Sequence, residues 1–224
     1  MSITLIIISK NKISTPDWVS SCSTINEVII DTESDFPLNN DFSAKRNHCL
    51  EIAKNDWCLF LDTDETPSAS FIDKINHFDN HQYAFRRIDI FLGKKLNFGE
   101  TGHFYITRLV NRKMGKFIGK VHERWQTDKP IIKSNTPIIH NSHQTFYGFI
   151  EKINHYSEIR AKELSDLKTK TGIFQIIFYT KAKFFQNYIL RLGFLDGIQG
   201  LINALGMSLH SFLVRSKLWS MQQP

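Results

Sequence analysis

Short apolar runs along the first third of the chain predict the strands of a sheet. The run Ile3–Ile8 is β-branched and apolar on both faces, as is typical of a parallel strand that helices cover on both sides. Two further apolar runs, at 28–30 and 57–61, each end directly before an aspartate, Asp31 and Asp62. We therefore predict three strands, two of which carry an aspartate at the carboxyl end.

Helical periods lie between and after these runs. Residues 42–54 carry apolar positions at helical spacing, and we predict a helix there that Asp41 or Ser43 caps. A strand, helix, strand order that ends in an aspartate is typical of a nucleotide-binding α/β half, whose ligands bind at the carboxyl ends of the strands. We predict a further helix over 68–78 and a β-rich mixed sheet over 82–121, which forms the acceptor side.

The basic excess of the chain belongs to its last third. Of a formal net charge of +6, residues 151–224 contribute 10 lysines and arginines against 5 aspartates and glutamates, whereas residues 1–148 hold 18 against 17. A helical period returns over 146–167, and the segment 173–219 then alternates basic with large apolar residues. This pattern indicates an anionic partner, either a nucleic acid or an anionic membrane surface.

Cysteine usage and the N-terminus favour a cytosolic protein. Cys22, Cys49 and Cys58 have no CxxC spacing and make no disulfide framework. The apolar N-terminus lacks the basic region of a signal peptide. No run reaches the roughly 20 uninterrupted apolar residues of a spanning helix.

The motif Asp62-Thr63-Asp64-Glu65 carries the clearest candidate chemistry. Two carboxylates two residues apart at a strand end can share one divalent cation, or divide cation and ribose between them, and Mg²⁺ and Mn²⁺ prefer such oxygen ligands. A cation there would neutralise a leaving diphosphate, so Asp62 and Asp64 are candidate catalytic residues as well as metal ligands. The alternative is an acidic first turn of the helix that follows.

The surroundings of this motif resemble family 2 glycosyltransferases of the GT-A fold. The resemblance lies in a helix bearing Arg46-Asn47, the strand at 57–61 and the acidic motif, and it extends to 28–31, 108–110 and 121–123. The segments 152–161 and 193–197 are similar to C-terminal signatures of the subgroup that builds lipopolysaccharide core and other surface sugars. Two features depart from the family: Asn11-Lys12 replaces the usual Asn-Glu, and 35–42 is short.

The resemblance implies a two-part architecture. Residues 1–145 would form an α/β GT-A catalytic domain, with a nucleotide-binding half at 1–66 and an acceptor-side half at 67–145. Residues 146–224 would form a helical, membrane-interfacial extension.

The resemblance also implies roles for single residues. Ser9, Asp31, Arg46 and Asp62 would bind the nucleotide. A cation, Mg²⁺ or Mn²⁺, would be held by Asp62 and Asp64, and His122 could join them as a third ligand. Glu123 is the candidate base that takes the proton of the acceptor hydroxyl, with Glu100 as its rival.

The resemblance implies that the protein transfers a sugar from a UDP-linked nucleotide-sugar. The acceptor would be a hydroxyl of a lipopolysaccharide-core or other lipid-linked glycan. Inversion by direct displacement is implied by the resemblance alone. The alternatives are a metal-dependent nucleotidyltransferase and a non-catalytic basic protein that binds membrane or nucleic acid.

The tail favours membrane over nucleic acid. Its charges are spaced among leucine, isoleucine and phenylalanine, and no RNP-like or helix-turn-helix pattern occurs. Asp196, Gln199 and Asn203 interrupt the apolar stretch, which favours a helix lying in the interface on the cytoplasmic face of the inner membrane over one that crosses it. The alternative is a helical hairpin that packs on protein.

The histidines His140 and His143, with His103 and His122, could suggest zinc. No cysteine lies nearby in the sequence, and the HxxH spacing lacks the glutamate of a catalytic HExxH helix. We therefore do not predict a zinc site.

Overall fold

A computed structural model describes residues 1–35, 41–102, 104–119, 123–143 and 145–223. The chain divides into two compact units: Met1–Arg87 with Tyr105–His140, and Ile88–Phe104 with Asn141–Pro224. The strands are β1 (Ile3–Ile8), β2 (Ile25–Asp31), β3 (Trp57–Asp62), β4 (Glu65–Pro67), β5 (Gln82–Phe91), β6 (Lys94–Lys95), β7 (Tyr105–Asn111), β8 (Gly115–Ile118), β9 (Arg124–Thr127) and β10 (Ile131–His143). The helices are α1 (Phe42–Ile52), α2 (Ala69–Ile75), α3 (Phe146–Asp166), α4 (Ile173–Phe185) and α5 (Gly197–Met221).

A mixed sheet forms the first unit. Its strand order is β2-β1-β3-β7-β5-β10-β4, and a separate ribbon joins β8 to β9. Strand β1 pairs in parallel with both β2 and β3, whereas β3 with β7, β7 with β5 and β10 with β4 are antiparallel. The predicted α/β class, the three strands and the β-rich character of 82–121 are confirmed.

Helices cover both faces of the parallel strands. On one face, Leu5 and Ile7 of β1 belong to a core cluster with Phe71 of α2. On the other face, Ile6 packs in a cluster with Cys49 of α1. This double cover explains why the first strand is apolar throughout.

The caps of the first two helices follow the sequence. Asp41 caps α1 by accepting a hydrogen bond from the Ala44 N–H, which decides between the two predicted caps. Ser68 caps α2 in the same way through the Phe71 N–H. Both helices end earlier than predicted, at Ile52 and Ile75.

The second unit is built from α3, α4 and α5, together with the β5–β6 turn and the segment that follows it. Helix α5 packs against both α3 and α4. Asp196, which is 3% exposed, accepts hydrogen bonds from the backbone N–H groups of Asn97 (3.1 Å) and Phe98 (2.9 Å). The aspartate of the 193–197 signature therefore anchors a loop of this unit.

The C-terminal helices leave much apolar surface uncovered. No residue of α4 is buried, and Ile173 and Phe174 are 77% and 69% exposed. Within the part of the chain that the structure describes, one stretch, Gly193–Met221, is long and apolar enough to cross a membrane by length and composition alone. This is weak support for membrane association of the tail.

Candidate functional site

The carboxyl ends of three parallel strands bring the candidate residues to one edge of the sheet. Ile8 of β1 is aligned with both Asp31 of β2 and Asp62 of β3. Ser9 follows directly, and its N–H donates to the Asp31 carbonyl oxygen at 3.0 Å. The predicted nucleotide-side residues Ser9, Asp31 and Asp62 are thus placed together at the first unit's edge, as the sequence pattern requires.

Asp62 lies between two arginines. Its Oδ1 accepts a hydrogen bond from Arg46 Nη2 at 2.8 Å, and its Oδ2 accepts one from Arg108 Nη2. Burial alone would raise the pKa of the Asp62 carboxyl, but the charges of Arg108 and Arg46 and their hydrogen bonds outweigh it and hold that pKa well below its ordinary value. Asp62 is therefore a carboxylate whose charge is already neutralised by protein cations.

Arg46 joins Asp62 to the candidate base. Its Nε donates to Glu123 Oε1 at 2.9 Å, and its guanidinium lies 5.4 Å from the Phe60 ring centroid and 5.5 Å from that of Phe117. The side chain is only 3% exposed, and Nη1 has no hydrogen-bond partner among the described residues. Arg46 is therefore first an anchor for Asp62 and Glu123, and its one unused donor is itself buried.

Arg108 and Glu65 complete the cluster. Arg108 Nη2 donates to Glu65 Oε1 at 2.6 Å, and Glu65 Oε2 accepts the Asp62 N–H at 3.2 Å. Burial by itself would lower the pKa of Arg108, but the charges of Asp62 and Glu65 raise that pKa above its ordinary value. Glu65 is the fourth residue of the acidic motif, and its role as an anchor for a buried arginine was not predicted.

Asp31 is buried rather than presented to solvent. It is 2% exposed and pairs with Lys45 Nζ at 2.8 Å, and Lys45 also donates to the Thr32 carbonyl oxygen at 2.7 Å. Lys45 was not predicted from the sequence. The available signal was a lysine next to Arg46 on a helix that follows a strand ending in aspartate.

Asp64, the second aspartate of the motif, is turned toward β10. Its Oδ2 lies 3.2 Å from His140 Nε2, and its side chain is 40% exposed. The pairing of β4 with β10 places His140 opposite Glu65 and accounts for this approach. The structure thus separates the two aspartates, one among arginines and one beside a histidine.

A divalent cation fits part of this arrangement. Asp64 and His140 supply an oxygen and a nitrogen, a donor set that suits Mn²⁺. Asp62 fits less well, because each of its oxygens already accepts a hydrogen bond from an arginine. Among the residues that the structure describes, no three His, Cys, Asp or Glu side chains form a group that could hold a metal. The third predicted ligand, His122, lies outside the described residues.

The rival base Glu100 belongs to the second unit. There its carboxylate accepts hydrogen bonds from Lys183 Nζ at 2.9 Å and from Asn187 Nδ2 at 3.3 Å. Glu123, by contrast, belongs to the same unit as Arg46 and Asp62.

The mixed sheet and its helices fit an α/β, glycosyltransferase-like fold, and one relative agrees with that class. An uncharacterized glycosyltransferase of Rickettsia conorii is 24% identical over 195 residues, which cover 79% of this chain and 69% of that protein. No protein-family model matches the chain. The similarity supports glycosyl transfer in general terms, with a sugar donor and an acceptor.

Proposed function

We propose that the protein is a family 2 glycosyltransferase of the GT-A type, which moves a sugar from a nucleotide-sugar, UDP-linked, to a hydroxyl of a lipid-linked or lipopolysaccharide-core glycan. The observation that carries the proposal is the cluster of Arg46, Asp62, Arg108 and Glu123 at the carboxyl edge of parallel strands. It places two guanidinium groups and a candidate acceptor base at one edge. Because Asp62 and Glu123 balance the charges of the two arginines, the charge of a diphosphate would be neutralised by a bound cation.

The donor diphosphate would lie against the two arginines. Each guanidinium is 3% exposed, and each has a nitrogen without a hydrogen-bond partner among the described residues, Nη1 of Arg46 and Nε of Arg108. Because both guanidinium groups are already paired with Asp62, Glu65 and Glu123, they would orient the leaving diphosphate by hydrogen bonds rather than supply net positive charge. Asp31 would act through Lys45, whose position it fixes.

A divalent cation, Mg²⁺ or Mn²⁺, would be held by Asp64 and His140. When bound, it would supply Lewis-acid neutralisation of the leaving group. In this assignment Asp62 orients the two arginines and remains available to the ribose.

Glu123 is the proposed base. The acceptor oxygen forms a bond to the anomeric carbon while the bond from that carbon to the diphosphate oxygen breaks. The proton of the acceptor hydroxyl passes to the Glu123 carboxylate, and the bonding electron pair leaves with the diphosphate. A direct displacement of this kind inverts the anomeric centre, and Arg46 holds Glu123 in place for it.

The helical tail would attach the enzyme to the cytoplasmic face of a membrane, where lipid-linked acceptors are found. The exposed apolar residues of α4 and the basic excess of residues 151–224 support this localisation.

A panel of UDP-, GDP- and CMP-sugars, incubated with the full chain and Mn²⁺, tests the proposal. Release of free nucleotide by the wild type, lost in Glu123→Gln, is the expected result. Pyrophosphate release from nucleoside triphosphates would instead indicate a nucleotidyltransferase. Failure to bind or turn over any nucleotide would leave a non-catalytic binding protein and overturn the proposal.

A further inference from the structure

A lysine occupies a position normally filled by glycine at the end of α3. Lys168 has a φ of 55°, in the left-handed region. Its N–H donates to the Ser165 carbonyl at 2.8 Å, and the next N–H, of Thr169, donates to the Leu164 carbonyl at 2.9 Å. This is a Schellman cap, in which glycine is favoured because a Cβ is strained there. A glycine would be less strained there, so Lys168 occupies this position at a cost in backbone energy.

Lys168 lines a cleft of about 500 Å³ between the loop after α3 and the end of α5. Lys170, Trp219 and the hydroxyl residues Ser165, Thr169 and Thr171 also line it. The loop is fixed by the side chain of Gln222, which donates to the Thr169 carbonyl at 2.6 Å and accepts the Thr171 N–H at 3.2 Å. The cleft is therefore held in shape by hydrogen bonds within the second unit.

The charge of this cleft is positive. Its lining includes Lys168 and Lys170, both exposed, and no acidic residue. Asp166, two residues before Lys168, lies outside the lining. The Thr171 hydroxyl is buried and has no hydrogen-bond partner among the described residues. Ammonium groups beside hydroxyl groups are the donors that a phosphate group requires.

Exposed apolar side chains flank the cleft on both sides along the chain. Leu167 is 72% exposed directly before Lys168. After Lys170, α4 starts with Ile173 and Phe174 and continues the same apolar stripe through Ile177 and Phe178, each of which is about half exposed. Exposure of these apolar side chains to water is unfavourable, whereas the acyl-chain region of a membrane would bury them.

We propose that this cleft, lined by Lys168, Lys170 and Trp219, binds the phosphate of an anionic phospholipid headgroup while the apolar stripe of α4 enters the acyl region below it. The inference rests on the membrane attachment proposed above and identifies its lipid chemistry. The adjacent stripe favours a lipid over free phosphate, and Trp219, which lines the cleft and is 46% exposed, suits the boundary between headgroups and acyl chains.

Co-sedimentation of the full chain with vesicles of phosphatidylcholine, alone or mixed with phosphatidylglycerol, tests this site. The double variant Lys168→Gln, Lys170→Gln should weaken binding to the anionic vesicles about tenfold to thirtyfold, since each lysine contributes on the order of 1 kcal/mol and a factor of ten is about 1.4 kcal/mol. The matched control is Lys54→Gln, Lys74→Gln, which removes the same charge from exposed positions of the first unit. It should bind nearly as the wild type does.

A second variant separates binding from folding. Lys168→Gly removes the side chain and relieves the strained backbone, so it should raise the melting temperature while weakening binding to anionic vesicles. Equal weakening by both double variants, or unchanged binding in Lys168→Gly, would overturn the headgroup site. If inorganic phosphate and glycerol 3-phosphate, at concentrations similar to each other, displace the protein from the vesicles, the cleft binds free phosphate and the lipid assignment is wrong. If the wild type ignores anionic vesicles, both this site and membrane attachment are wrong, whereas donor turnover, measured without vesicles, still tests sugar transfer.

Discussion

Arg46 donates a hydrogen bond from Nε to Glu123 Oε1 at 2.9 Å, although the two residues are 77 positions apart in the chain. The same guanidinium binds Asp62 at 2.8 Å. One buried cation thus connects the carboxylate proposed as base with the first aspartate of the acidic motif. Any change to it should affect stability and chemistry together.

Replacing Arg46 by lysine tests this connection. Lysine cannot form the hydrogen bonds to both Asp62 and Glu123 in the same geometry. Its compact ammonium group would have to serve both carboxylates in place of the planar guanidinium. We expect a loss of about 1 to 3 kcal/mol in the free energy of unfolding and a fall in donor turnover of about a hundredfold. Urea denaturation and nucleotide release measure the two effects. Arg112→Lys, at a half-buried arginine 3.6 Å from Asp56, is the matched control and should change little.

Asp62 and Asp64 should separate stability from activity. Asp62→Asn leaves two buried arginines without their shared counter-charge and should cost about 1 to 3 kcal/mol of stability, a range discounted because that side chain is 37% exposed. Asp64→Asn, with a side chain 40% exposed, should change stability by less than about 0.5 kcal/mol yet abolish cation-dependent turnover.

Chemical denaturation and turnover over a Mn²⁺ titration are the measurements for this pair. Full activity of Asp64→Asn in metal-free buffer would remove the proposed cation site. His140→Ala removes a proposed ligand and should raise the Mn²⁺ concentration needed for half-maximal turnover about tenfold or more.

Glu123→Gln tests the proposed base. The amide keeps an acceptor oxygen for Arg46 but cannot take the acceptor proton, so kcat should fall about a hundredfold to ten-thousandfold while nucleotide affinity stays nearly constant. Steady-state kinetics and equilibrium binding of the nucleoside diphosphate distinguish the two. Glu100→Gln is the control, because Glu100 is engaged by Lys183 and Asn187 in the second unit. If Glu100→Gln lowers kcat in this way and Glu123→Gln does not, Glu100 is the base.

The sequence predicted where the site residues lie better than it predicted which side chains they pair with. Parallel pairing places residues that follow aligned strands at one edge, so the positions of Asp31 and Asp62 could be derived from apolar runs alone. The ion-pair partners of Lys45 and Arg108 could not be derived in this way, since a buried ion pair depends on which distant side chain meets the strand end. No local period carries that information.

The helical tail shows the same limit. Its helices follow from composition and period, but the role of Asp196 does not. The carboxylate lies opposite two backbone N–H groups, of Asn97 and Phe98, about a hundred positions earlier. The sequence predicted that Asp196 interrupts an apolar stretch and belongs to the 193–197 signature, but neither prediction identifies its hydrogen-bond partners.

The buried thiols should make stability fall at alkaline pH. Burial raises the pKa of Cys49, and likewise that of Cys58, to about 12. The thiols of the unfolded chain ionise near pH 8.5. Stability contributed by the protonated thiols is therefore complete below about pH 8.5 and is lost as pH rises toward 12, at about 1.4 kcal/mol per pH unit for each thiol.

Urea unfolding of the wild type and of Cys58→Ala at a series of alkaline pH values checks this dependence. The variant starts less stable because it leaves a small cavity, but its stability should fall less steeply with pH. Identical slopes would contradict the assignment. Rapid reaction of the native thiols with a disulfide reagent near neutral pH would do so as well, because Cys22, Cys49 and Cys58 are all buried.

Gly206→Ala tests the close packing of α5 on α3. A Cβ at Gly206 would lie 2.3 Å from the ring of Phe149 and 3.1 Å from Ile153, both of which are buried. Neither side chain can withdraw without disturbing the core of the second unit, so the overpacked variant should lose about 1 to 3 kcal/mol of stability despite the better helix propensity of alanine. Thermal unfolding followed by far-ultraviolet circular dichroism measures the loss. Leu205→Ala, at a neighbouring position 52% exposed, should cost less than about 1 kcal/mol. A gain in stability for Gly206→Ala would mean that α3 and α5 are further apart than this contact requires.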